Sequence, residues 1–98
     1  MDFSIPRRTL LRALEAARVI VDQKAAQPLL RTAHLFANGA ELVVTASDLV
    51  LTYRVTLPAT VKVPGSVCVP VNILRDVVAR MAEGDVRVTV EKIGRAHV

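Results

Sequence analysis

The chain has 98 residues, 52% of them hydrophobic and 22% charged, and carries a formal net charge of +4. That length allows one domain at most, and the abundance of Val, Leu, Ile and Ala excludes an intrinsically disordered chain. A mean hydropathy of +0.41 invites a membrane reading, but Arg18 and Arg31 interrupt the apolar runs around them. No stretch approaches the roughly 18 uncharged residues that a spanning helix needs. Met1-Asp2-Phe3-Ser4 lacks the basic-then-apolar layout of a signal peptide. The single Cys68 can close no internal disulfide and offers no metal set. The expectation is a cytoplasmic protein that does not enter a membrane.

In chain order, Asp2–Ile5 is predicted as a short strand with Phe3 and Ile5 on one face. Pro6 suits a helix start, where its missing N–H costs nothing. From Arg7 the pattern is helical: Leu10, Leu14, Ala17 and Val21 fall within about 40° of one another at 100° per residue. Arg8, Arg12 and Glu15 fall opposite, and Leu11 lies on the flank. Asp22–Gln27 is a polar loop carrying Lys24, and Pro28–Ala37 is a strand. Asn38-Gly39 marks a tight turn between β-rich runs. Glu41–Ala46 returns, Ser47-Asp48 turns, and Leu49–Leu57 alternates as a third strand. Pro64-Gly65 turns again, Ser66–Val69 is a strand, and Pro70 opens a second helix. Its apolar stripe is expected at Ile73, Leu74, Val77, Val78 and Met81, and an Asp76–Arg80 ion pair at i, i+4 on its other side. Glu83-Gly84-Asp85 stops the helix, and Asp85–Glu91 is a last alternating strand.

An internal repeat is visible. Phe3-Ser4-Ile5-Pro6 matches Val67-Cys68-Val69-Pro70 at an offset of 64, which lays Leu10 on Leu74, Ala13 on Val77, Leu14 on Val78 and Ala17 on Met81. The fold class expected is α+β: two βαβββ-type repeats, the second incomplete, with helices packed on one face of antiparallel sheet. The final residues break the pattern. Ile93–Val98 is also what a common short-read sequencing adapter encodes, so residues 92–98 are expected to be a non-native tail, residues 1–91 an incomplete domain, and the gene to run on past Glu91.

No catalytic constellation emerges, and no metal or cofactor is expected. His34 stands mid-strand without a nearby carboxylate pair, and Cys68 in Val67-Cys68-Val69 is read as a small buried hydrophobe. Ser47-Asp48 is better explained as a turn cap than as a catalytic pair. Single-strand binders stack bases on aromatics, and only Phe3, Phe36 and Tyr53 are available. What remains is a set of helix arginines without aromatics, suited to phosphates rather than bases, or simply a solvated face.

The opening Met1–Ile5, Leu10-Leu11, Leu14, Pro28-Leu29-Leu30, Asn38-Gly39, Leu42, Thr45-Ala46-Ser47-Asp48-Leu49, Val69-Pro70 and Glu83-Gly84, taken in order, resemble the bacterial DNA polymerase III β sliding clamps. The resemblance covers residues 1–91, with an apparent one-residue deletion between Pro28 and Gly39. It implies a non-enzymatic processivity factor of DNA replication, in which two subunits close a homodimeric ring around duplex DNA and tether DNA polymerase III. It also implies DNA contacts from Arg7, Arg12, Arg75 and Arg80 on or near hole-facing helices and from Lys24 in a loop; helix periodicity adds Arg8. An Asp76–Arg80 pair would weaken the last of these. Val78 and Met81 are expected to help the subunit interface. Polymerase and clamp-loader sites would lie in parts beyond this chain, and the chain alone is expected to expose a sheet edge at Asp85–Glu91 and to form no ring. The alternatives are a free-standing basic α+β nucleic-acid-binding domain, or a metabolic domain whose arginines are merely solvated.

Overall fold

The computed structural model describes residues 1–21, 31–48 and 50–90, and the backbone of 96–97. The elements run β1 (Asp2–Pro6), α1 (Arg7–Ile20), β2 (Thr32–Asn38), β3 (Glu41–Ser47), β4 (Thr52–Pro58), β5 (Thr60–Val63), β6 (Gly65–Pro70), α2 (Val71–Arg80), β7 (Asp85–Val90) and β8 (Ala96–His97). Pro28 to Leu30, Leu49 and Glu91 lie outside the described residues, as does the polar loop expected at 22–27.

Two antiparallel four-stranded sheets form, in the orders β5-β1-β7-β8 and β4-β3-β2-β6. Their topology expresses the repeat. The first strand of the first unit, β1, pairs with β7, which follows the helix of the second unit. The first strand of the second unit, β6, pairs with β2, which follows the helix of the first. Each unit thus completes its sheet with a strand of the other. Pro6 and Pro70 stand at equivalent places as the N-caps of the two helices, both extended, with ψ of 134° and 121°. Proline suits this switch from strand to helix because its φ is already near the helical value.

Strand alternation sets the core. Phe3, Ile5, Leu35, Leu42, Val44, Val86 and Val88 turn inward and are fully or almost fully buried, and the helices meet them with Leu10, Leu14, Ala17, Leu74 and Val78. No polar or charged residue is buried among the described residues, so the core needs no hydrogen-bonded network to offset desolvation. At the β2–β3 hairpin Asn38 pairs with Glu41, and Gly39 takes φ of 61°, a backbone state that costs other L-residues about 1–2 kcal/mol.

Several expectations are corrected. The third strand begins at Thr52 rather than Leu49, because the Asp48 carboxylate accepts the N–H groups of Val50 and Leu51 at 2.9 and 2.7 Å and withdraws them from the ladder. β5 was not anticipated: it is four residues long between two prolines, too short for alternation to show, and it carries the chain from one sheet to the other. Cys68 is exposed, since Val67 and Val69 on either side turn inward. Ile73 (66% exposed) and Val77 (42%) face solvent, while Val71 is buried. Each precedes an inward residue, Leu74 or Val78, by about 100° of helix turn, enough to carry it out of the core. The edge expected at the last strand is partly closed, for Ala96 and His97 pair with Val90 and Thr89.

Candidate nucleic-acid interface

The two helices pack side by side and run antiparallel: the start of α1 meets the end of α2 through Arg7 and Ala79, and Arg75 reaches Glu15 further along. Their outward faces carry most of the arginines named from the sequence, and these arginines stand in two distinct situations.

Arg8, Arg12 and Arg80 are exposed. Among the described residues no carboxylate lies within ion-pair distance of Arg12 or Arg80, and Arg8 has only a loose contact with Glu83 at 3.8 Å. The expected Asp76–Arg80 pair does not form, because Asp76 is taken by Arg75 at 3.0 Å. Arg80 is therefore free of the neutralising partner that the sequence suggested. An exposed, unpaired guanidinium on a long stem can follow a phosphate through solvent without fixing a register.

Arg7 and Arg75 are committed elsewhere. Arg7 Nε donates to the Val78 carbonyl at 3.0 Å and Nη2 to the Ala79 carbonyl at 2.8 Å. Its backbone N–H donates to Gly84 O at 2.8 Å. Arg7 opens α1, where a cation opposes the positive end of the helix dipole, and its side chain reaches the negative end of α2 instead. Arg75 donates to Asp76 at 3.0 Å and Glu15 at 3.2 Å. Those two bonds, Asp76 first, hold the guanidinium above its ordinary pKa. Its Nε is shielded and has no partner. Lys24 lies outside the described residues.

The two residues expected at a subunit interface also part company. Val78 is 0% exposed and belongs to the core, which leaves it no surface to offer. Met81 is half-buried and packs against the same core. The apolar residues that α2 does present are Ile73 and Val77, on the same outward side as Arg80. Periodicity could have found them had Val71 been counted, since Val71, Leu74 and Val78 at i, i+3, i+7 define the buried stripe.

Elsewhere, His34 and Cys68 are register partners on β2 and β6, both exposed. Among the described residues there is no group of three or more His, Cys, Asp or Glu that could hold a metal ion, and no helix long and apolar enough to cross a membrane.

Two βα units that exchange strands, with their helices laid together under antiparallel sheets, make a domain of the DNA-clamp class. Over residues 1–98 the sequence matches the family model described as DNA polymerase III beta subunit, N-terminal domain, and the chain belongs to that family. No match was found among curated protein sequences. Among solved structures the chain is similar to pol III beta of Caulobacter crescentus, at 30% identity and a TM-score of 0.87, over 91% of this chain and 24% of that one. It is similar in fold to the beta subunit of the DNA polymerase of Streptococcus pyogenes, at 17% identity and a TM-score of 0.90, over 98% and 26%. The Helicobacter pylori beta clamp bound to a DNA ligase peptide gives 17% identity and a TM-score of 0.89, over 94% and 26%. The chain spans about a quarter of the length of these relatives.

Proposed function

We propose that this chain supplies the first domain of a sliding clamp, a non-catalytic processivity factor that encircles duplex DNA and tethers a replicative polymerase in the cytoplasm. The observation that carries the reading is the pairing of a clamp-class domain with Arg8, Arg12 and Arg80 exposed on one helix layer. Sliding requires attraction to phosphates without base readout, since base contacts would hold the ring at one sequence. Exposed arginines on helices that themselves carry no aromatic residue supply that, and salt weakens it. Closure of a ring makes retention topological, so each contact can be weak.

The ring needs a second subunit. Ile73 and Val77, rather than Val78, are the α2 residues available to meet it, with Met81 at the margin. Polymerase, clamp loader and peptide partners of the kind seen with the H. pylori clamp belong to the rest of the protein. Within a complete clamp carrying this domain, reversing Arg8, Arg12 and Arg80 to Glu together is expected to abolish duplex binding at moderate salt while the fold is retained. Unchanged affinity would leave these arginines as a solvated face and refute the assignment.

A further inference from the structure

Arg7 and Arg75 share a position type that the repeat makes visible. At the offset of 64, Arg7 corresponds to Val71 and Arg75 to Leu11. Val71 is fully buried and Leu11 half-buried against the core. Both arginines thus occupy places where the other unit puts an apolar residue into the contact between helix and core. The outward positions behave differently: Arg8 corresponds to Asn72 and Arg12 to Asp76, and all four are exposed.

The geometry assigns Arg7 and Arg75 as positioning residues that fasten α1 to α2, rather than as ligands of DNA. This rests on the DNA reading above. Arg7 ties the first residue of α1 to the last turn of α2 through two charge-assisted bonds, one residue before Arg80. Arg75 ties the middle of α2 to Glu15 of α1, and to Asp76 on its own helix. Together they set the spacing between the α1 arginines, Arg8 and Arg12, and Arg80 on α2. A planar five-donor fork bridges two carbonyls or two carboxylates in a fixed geometry, which the point charge of a lysine ammonium does not impose. Each guanidinium keeps N–H donors to spare, but one held by two such bonds cannot follow a phosphate along the duplex without breaking them.

The test uses a complete clamp carrying this domain and a duplex, with affinity followed between about 50 and 200 mM salt. Each lost phosphate contact lowers the slope of log affinity against log salt by about 0.9. Arg12→Gln and Arg80→Gln are expected to show that loss. Arg7→Gln and Arg75→Gln are expected to weaken binding at an unchanged slope, and Arg7→Gln to add little in the Arg80→Gln background. Backbone amides in the last turn of α2 should exchange about tenfold faster in Arg7→Gln. Arg7→Lys guards against simple misfolding, because it keeps the charge and loses the fork. It should retain the wild-type slope with only part of the exchange protection.

A slope loss near 0.9 in Arg7→Gln, additive with Arg80→Gln, would make Arg7 a phosphate ligand and overturn the proposal. Unchanged exchange in α2 would overturn the clasp on its own. A wild-type clamp with no salt-dependent duplex binding would instead overturn the DNA reading, and is distinguishable from both.

Discussion

Leu14 and Val78, 64 residues apart, stand at the same place in the two units, and both are completely buried. The same holds for Leu10 and Leu74, fully and almost fully enclosed. At these two pairs the repeat is one of core positions, whereas Ala13 is buried and its counterpart Val77 is exposed. Leu14→Ala is expected to cost about 2–5 kcal/mol, and Val78→Ala somewhat less. Both should appear in denaturant unfolding as a lower midpoint with an unchanged slope. A Val78→Ala chain of undiminished stability would mean that Val78 is not in the core and would reopen its role at a subunit contact.

Ile73 and Val77 predict the opposite behaviour. Ile73 is 66% exposed and Val77 42%, so Ile73→Ser should change domain stability by less than about 0.5 kcal/mol and Val77→Ser by about 1 kcal/mol. If this face meets a second subunit, the double variant should shift a complete clamp toward monomer in sedimentation analysis. Full dimerisation would place the interface elsewhere.

Gly39 offers a clean conformational test. Nothing stands within 4 Å of where its Cβ would be, so a larger residue meets no clash, and its φ is +61°. Gly39→Ala should therefore destabilise by about 1–2 kcal/mol through backbone strain alone, and Gly39→Asn by less, since Asn tolerates the left-handed region. Equal stability of all three would show that the hairpin can adopt another turn.

Asp48 and Asp2 make the fold sensitive to acid. The amides of Leu51 and Val50 hold the Asp48 carboxyl below its usual range, and the Arg87 fork, at 3.0 and 2.8 Å, does the same for Asp2. A folded value below the unfolded one contributes stability that is complete above the ordinary carboxylate pKa, near 4. It is lost as pH falls through the lowered value. Asp48→Ala should melt earlier than wild type at neutral pH, and the gap should close in acid. The effect of Arg87→Gln should also shrink at high salt, because that pair is at the surface. A pH-independent gap for Asp48→Ala would remove the carboxylate from the turn's stability.

Much of this architecture was legible in the residues. Phe3 and Ile5, the two strand–proline–helix junctions, Asn38-Gly39 and the capping role of Asp48 follow from local rules that tertiary packing did not overturn. The fold class followed from the order of those elements and from the repeat. β5 was not legible, because a four-residue strand between prolines shows no periodicity. The outward turn of Ile73 and Val77 was missed because their neighbours Leu74 and Val78 fit the same broad stripe. Arg7 and Arg75 look like their exposed neighbours in sequence. Only the approach of the second helix shows that their guanidinium groups are already occupied. Cys68 was misread because an apolar run hides the alternation of its own strand.

In the clamp proposed above, this domain helps hold DNA by enclosure, with weak phosphate contacts guiding the slide. The most direct measurement loads a complete clamp carrying the domain onto nicked circular DNA and follows retention before and after the circle is cut. Stable retention on the circle and rapid loss from the linear form are expected, with Arg12→Gln and Arg80→Gln changing sliding and salt response more than retention on the circle. Equal retention on both forms would contradict enclosure and would make the arginine face an ordinary DNA-binding surface.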